Sequence, residues 1–263
     1  MPEPEQNKQF QVIPFVAPCR DLSPFAPLQW LALGWQDLLA NKALSLSWGL
    51  ISVAALALVA WGAWVLGSWV LLISVLSGFV FIAPLLAFAL YSVSRQIRLG
   101  IKPTLLSTLR AARAPFANSL VFALVLLIIF LLWARAGSMV HIFFPAEGKP
   151  SFSHLLTFFT IGSAVGSVFA CISFAASAFS LPFIANREVD VVTAVVSSIN
   201  AVLRNKWTML TWAAIIVLLT AVGLATALLG FIVIIPWLAY ATWHGYRAAL
   251  DTNKWATLPA WVA

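Results

Sequence analysis

Four long stretches without a charged residue constrain this chain more than any other feature. They cover residues 43–94, 114–134, 155–186 and 207–246. A helix rises 1.5 Å per residue and needs about 20 residues to cross about 30 Å of hydrocarbon. The first and last stretches are at least about twice that length, so each is expected to form a hairpin of two crossings. The pattern predicts an all-helical, polytopic membrane protein with six transmembrane helices, at residues 44–65, 69–93, 116–134, 158–183, 207–224 and 227–245.

Composition excludes the soluble classes. Hydrophobic residues make up 62% of the chain and charged residues 9%, against roughly 25% charged residues in soluble domains. The net charge of +7 would suggest nucleic acid in a soluble chain. In a membrane protein its meaning depends on where the basic residues lie relative to the spans.

The positions of the basic residues predict that both termini are cytoplasmic. With six spans, 13 lysines and arginines lie inside, and only Arg135 and Lys149 lie outside. A single crossing in the last stretch would change this ratio to 11 to 4, so the positive-inside rule favours six. The basic excess then indicates affinity for anionic lipid headgroups rather than nucleic acid. The residues expected to anchor the topology are Lys42, Arg95, Arg187, Lys206 and Arg247.

Two segments of the chain are nearly the same. Residues 78–95 read GFVFIAPLLAFALYSVSR and residues 230–247 read GFIVIIPWLAYATWHGYR, with eight of eighteen positions identical. Upstream, the dipeptides Asn41-Lys42 and Asn205-Lys206 are each followed by a tryptophan, Trp48 or Trp212. These matches predict a duplicated unit.

The repeated unit is an amphipathic cytoplasmic helix, a short turn and a transmembrane hairpin that ends on an arginine. Copies are expected at about residues 28–95, 104–187 and 192–247. Since each unit crosses twice, successive units run parallel and differ from the inverted repeats of many transporters. Residues 1–24 are expected to form a flexible tail, residues 25–250 the membrane domain and residues 251–263 a C-terminal tail.

The fourth span carries a stripe of small residues. Gly162 and Gly166, continued by Ala170, recur every four positions and favour close helix packing. That face is expected either at the centre of the monomer or at an oligomer contact. Pro84, Pro182 and Pro236 lie toward the same ends of the even-numbered spans and are expected to kink them.

The spans carry no residues that favour catalysis or ion coupling. All eight acidic residues lie outside the predicted crossings, whereas proton relays and ion-coupled transporters usually place ionisable groups at membrane depth. His141 and His154 lie in an external loop with Glu147, a weak metal-ligand pattern, and His244 lies at an interface. We expect no enzyme activity, no metal and no cofactor.

Four segments, taken in order, resemble a known family. They read LGWQDLLANKALSLSWGL, GFVFIAPLLAFALYSVSRQIRLG, SLPFIANREVDVVTAVVSSINAVLRN and WHGYRAAL, within residues 28–250. This chain resembles the bacterial integral membrane proteins catalogued as domain of unknown function 2189. The resemblance implies a bacterial cytoplasmic (inner) membrane protein without an established activity.

The sequence predicts a non-catalytic accessory, scaffold or assembly component that packs against another membrane protein or a second copy. The alternative is a permease or channel for a small uncharged or lipid-like solute. A continuous polar cavity at the midplane would favour transport, whereas an exposed small-residue face would favour the scaffold.

Overall fold

The chain is all-helical over the residues that the structure describes. A computed structural model describes residues 14–66, 86–143 and 152–258. Within these residues the only extended pairings are two isolated bridges, Cys19 with Leu250 and Arg187 with Thr257. The helices are α1 (Ala26–Ala40), α2 (Lys42–Leu66), α3 (described over 86–98), α4 (Leu105–Arg113), α5 (Phe116–Phe143), α6 (Phe152–Ser177), α7 (Ser180–Asn186), α8 (Val191–Arg204), α9 (Lys206–Ala225) and α10 (Phe231–Ala249).

Four segments in the described residues are long and apolar enough to cross a membrane. They are Lys42–Val59, Phe116–Met139, Leu156–Asn186 and Lys206–Ala225, and they coincide with the predicted first, third, fourth and fifth crossings. Most of the predicted second crossing lies outside the described residues. At the sixth, α10 is helical, but its C-terminal half carries tryptophan, tyrosine, histidine and arginine, which lower its hydropathy.

The described part of the chain has its core at one end of the helices. Only 17–39% of the residues in the four candidate spans are buried. The buried cluster instead joins residues 88–93 of α3, parts of α7 and α8, and residues 240–250. Ala17, Cys19 and Trp255 pack into the same cluster, so we call this end of the bundle the terminal end.

Helix α1 lies against α10 at the terminal end. A Cβ on Gly34 would stand 2.6 Å from the backbone nitrogen of Ala241, so only glycine allows this approach. The Nε1 of Trp237 donates to the Leu31 carbonyl at 2.8 Å. The buried stripe of α1 is Trp30, Gly34 and Leu38, whereas the apolar residues Leu28, Trp35 and Leu39 of the same helix are exposed.

The helices that begin the other two predicted units, α4 and α8, also pack on a helix of a different unit. On α4, Ser107 Oγ donates to Gln96 Oε1 of α3 at 2.8 Å. On α8, Ser198 Oγ donates to the carbonyl of Ala175 in α6 at 2.8 Å and accepts from the Phe179 amide at 3.0 Å. Each of the helices α1, α4 and α8 therefore packs on the closing helix of a different predicted unit.

Candidate functional site

Two arginines meet inside the terminal end. Arg95, on α3, has 9% of its surface exposed and donates from Nη2 to the Leu258 carbonyl. Arg187, after α7, donates from Nη1 to the Trp255 carbonyl at 2.8 Å. Both guanidinium groups thus hold residues 255–258, which also pair with the backbone next to Arg187.

The two arginines have no carboxylate partner among the described residues. The ion pair present there is Arg204 with Asp21, and Asp37 lies beside His244. Burial, with the added charge of Arg187, lowers the pKa of Arg95. Backbone carbonyls compensate part of the desolvation of each guanidinium, so this arrangement fixes the C-terminal segment rather than activating a nucleophile.

The remaining predicted anchors lie nearer the surface. Lys42 and Lys206 are exposed and begin α2 and α9. Arg247 is half-buried, and its carbonyl accepts a long bond from Arg20 at 3.4 Å. Of the five anchors, the structure brings Arg95 and Arg187 together and leaves the other three apart, and the anchoring role stays a prediction.

Asn205 holds the segment that precedes α1. Its Oδ1 accepts from the Leu22 amide at 2.8 Å, and its Nδ2 donates to the Arg20 carbonyl at 3.1 Å. Thr208 adds bonds from its hydroxyl to the carbonyls of Leu22 and Ser23. Residues 20–23 are therefore attached to Asn205 and α9 and lie within residues 1–24, the predicted N-terminal tail.

Replacing Asn205 by alanine is expected to release this segment. The Leu22 amide and the Arg20 carbonyl would each lose a partly buried hydrogen bond, worth about 0.5–1.5 kcal/mol. We expect trypsin to cleave after the exposed Arg20 about tenfold faster or more, measured by mass spectrometry of the detergent-solubilised protein. The control is Asn41→Ala, because Asn41 is the repeat counterpart and its side chain makes no hydrogen bond to a described residue. Equal cleavage of both variants would contradict the role of Asn205.

Toward the described residues, the small-residue face of α6 is open. Among their atoms, a Cβ on Gly162 would meet none within 4 Å, and one on Gly166 would meet only Trp133 Nε1, at 3.8 Å. Ala170 is exposed, as are Ser163 and Ser167 on the adjacent stripe. Of the two predicted locations for this face, the structure places it away from the described core.

The prolines have different surroundings. Pro84 lies outside the described residues. Pro182 stands in the first turn of α7, just after a break between α6 and α7 at residues 178–179. Pro236 lies inside α10 and cannot donate a hydrogen bond to the Ile232 carbonyl one turn earlier.

Gly49 of α2 lies against that carbonyl. A Cβ on Gly49 would stand 1.8 Å from the oxygen of Ile232. The missing donor at Pro236 leaves this oxygen free for the approaching backbone, and Cα–H contacts to carbonyl oxygens are common at such helix interfaces. Pro236 therefore lies beside a close contact between α2 and α10.

One histidine has a defined partner. His244 Nε2 lies 2.9 Å from Asp37 Oδ2 and joins α10 to α1. The side chains of His141 and His154 lie outside the described residues. In the part of the chain that is described, no three histidine, cysteine or acidic side chains come together, and the expected lack of a metal or cofactor stays a prediction.

Sequence reasoning missed the contacts of Asn205 and the pairing of Asp37 with His244. The Asn-Lys repeat marked Asn205 as a turn residue, but nothing in the dipeptide distinguishes it from Asn41. Asp37 and His244 are 207 positions apart, and a sequence pattern carries no signal for such a contact.

Comparison with known families supports the membrane assignment. Residues 71–186 match the model of a family described as "Predicted integral membrane protein (DUF2189)". The resemblance predicted from the sequence is thereby confirmed over those residues. The comparisons with curated proteins and with solved structures gave no significant match.

Proposed function

We propose that this integral membrane protein is a non-catalytic accessory, scaffold or assembly component that packs through α6 against a second membrane protein or a second copy of itself. The open face at Gly162, Gly166 and Ala170 carries the proposal. In a bilayer, lipid tails already surround apolar side chains, so helices associate by close backbone packing over small residues. A helix from another chain can approach α6 closely at these positions.

Bulk on this face is expected to disrupt the association. We expect the double substitution Gly162→Leu and Ala170→Leu to weaken association about tenfold or more, measured as the mass of the particle after mild-detergent extraction from native membranes. Val168→Phe is the matched control, because Val168 is 57% exposed and lies about 200° around the helix from both Gly166 and Ala170. A lone monomer in the unmodified protein would contradict the proposal.

The second candidate function is transport of a small uncharged or lipid-like solute. The cavity that supports it, about 310 Å³ between α2, α3 and α10, is largely apolar and so differs from the continuous polar cavity that would favour transport most. Because the wall is mostly leucine, isoleucine and alanine, the cavity suits a lipid-like molecule better than a polar one. The α6 face supports the scaffold more directly, so we rank transport second.

We further propose that the chain is built from three parallel units arranged in a ring. Helix α4 of the second unit packs on α3 of the first, and α8 of the third packs on α6 and α7 of the second. Helix α1 of the first unit packs on α10 of the third, which closes the cycle. The repeat tryptophans support the same order, since Trp48 bonds Thr108 of α4 and Trp212 stacks edgewise on Trp30 of α1.

In this arrangement six helices cross a bacterial inner membrane and both termini are cytoplasmic. The terminal end then faces the cytoplasm, and the exposed Lys42 and Lys206 lie where anionic headgroups can bind them. A reporter fused after Ala263 is expected to give a cytoplasmic signal. A periplasmic signal would contradict six spans without affecting the α6 proposal.

A further inference from the structure

A cavity lies between three helices that are distant in sequence. It has a volume of about 310 Å³ and is bounded by α2, α3 and α10. Its wall residues recur on one face of each helix, for example Ser52 and Leu56 on α2 and Leu238 and Thr242 on α10. Seven of its ten wall residues are leucine, isoleucine or alanine, so the site is largely apolar.

The three polar residues of the wall differ in their hydrogen bonds. Ser52 Oγ donates to the Trp48 carbonyl at 2.8 Å, and Thr242 Oγ1 donates to the Leu238 carbonyl at 2.7 Å. Both hydroxyl hydrogens are therefore used within their own helices. Tyr91, on α3, is 6% exposed as a residue and lines the cavity, and its hydroxyl makes no hydrogen bond to any described residue. Among the described residues, the cavity wall thus contains one hydroxyl donor without an acceptor.

Water is a poor occupant for this site. A buried water usually needs two to four polar partners, and most of the wall offers none. A hydroxyl that lines an apolar site without an acceptor is unfavourable, so a molecule that brings an acceptor into the cavity recovers that loss. The volume is near the lower end for ligand pockets, about 300–1,000 Å³, and suits one ring or a short length of hydrocarbon next to the acceptor.

We propose that this cavity binds a membrane-soluble carbonyl compound, either the ester of a lipid acyl chain or the ring carbonyl of a prenylated quinone. The Tyr91 hydroxyl donates to the carbonyl oxygen, and the aliphatic wall around Leu86 and Leu238 buries the adjoining hydrocarbon. The site does not include α6, so the binding proposal can be tested independently of the proposed packing face.

The test is a titration of the detergent-solubilised full-length chain by native mass spectrometry. One arm uses decyl-benzoquinone and the other uses didecanoyl-phosphatidylcholine. Tyr91→Phe is expected to weaken binding of whichever probe binds the unmodified protein by about fivefold to tenfold, because only the hydroxyl donor is lost. Leu238→Trp fills the cavity and is expected to abolish binding. Binding of one probe alone assigns the source of the carbonyl, and binding of both assigns a general carbonyl site.

Tyr240→Phe is the matched control. The Tyr240 hydroxyl is bonded to Ser45 Oγ at 3.0 Å, and the residue does not line the cavity. We expect this variant to keep probe binding and to lower the unfolding temperature, whereas Tyr91→Phe keeps or raises that temperature in the absence of a probe. The proposal is overturned if neither probe binds, if Tyr91→Phe binds as tightly as the parent, or if Tyr240→Phe weakens binding equally.

Discussion

Substitution of Gly49 by alanine is expected to destabilise the protein by about 3 kcal/mol or more, the upper part of the usual range for overpacking. The added Cβ would stand 1.8 Å from the Ile232 oxygen and 2.7 Å from the Ile232 carbonyl carbon. Both atoms belong to the backbone, so no side-chain rotation relieves the clash and α2 must move away from α10. The temperature midpoint of unfolding in detergent should fall by about 6–12 °C. Size-exclusion chromatography of samples heated to a series of temperatures measures this midpoint.

The matched control for this prediction is Gly62→Ala in the same helix. A Cβ on Gly62 would meet no atom of the described part of the chain within 4 Å. Since alanine favours a helix over glycine by about 1 kcal/mol, this variant is expected to keep or raise the midpoint. Equal midpoints for the two variants would show that α2 and α10 do not approach as closely as the structure indicates.

The spans could be predicted because their physical cause is local. Length and the absence of charge over about 20 residues are enough to identify a crossing, and α2, α5 and α9 begin within about two residues of their predicted starts. The end of α5 differs, because the helix continues nine residues past Ala134 to Phe143. A helix does not have to stop where the hydrocarbon ends.

The terminal end could not be predicted because its contacts join distant parts of the chain. An arginine beside a span is equally consistent with binding a headgroup or a backbone carbonyl. Arg95 faces inward only because residues 255–258 fold back onto it, 163 positions away. Likewise, Asn41 and Asn205 occur in the same dipeptide, but only Asn205 contacts the segment at Arg20 and Leu22.

The cavity is a third feature without a sequence signal. From the sequence, Tyr91 is an aromatic residue near the end of a predicted span, where tyrosine is common, and nothing marks it as a binding residue. That its hydroxyl lines a cavity and makes no hydrogen bond to a described residue becomes visible only when α2, α3 and α10 are placed together. Packing decides which polar atoms at this depth are satisfied within their own helix, as at Ser52, and which face a cavity.

Substitution of Trp30 by alanine is expected to cost about 3–5 kcal/mol, as for other large aromatic residues removed from a core. Trp30 is 2% exposed. The centroid of its ring lies 5.7 Å from that of Trp212 and 6.2 Å from that of Phe179, with an edge-on geometry in both pairs. Gly245 of α10 packs on the same ring, where a Cβ would stand 2.8 Å from Cε3. Removal of the indole therefore leaves a cavity between α1, α9 and α10, whose lining loses dispersion contacts that lipid cannot replace.

The expected results are a lower unfolding midpoint and faster tryptic cleavage after the exposed Lys42, the first residue of α2. Trp207→Ala is the control, since Trp207 is 73% exposed and leaves no internal cavity when it is truncated. Cleavage after Lys42 distinguishes Trp30→Ala from Gly49→Ala. Gly49→Ala moves α2 and α10 apart but leaves the aromatic contacts of α1 in place. If Trp30→Ala and Trp207→Ala behave alike, α1 is not held by the aromatic cluster, and the ring of three units would have to close through other contacts.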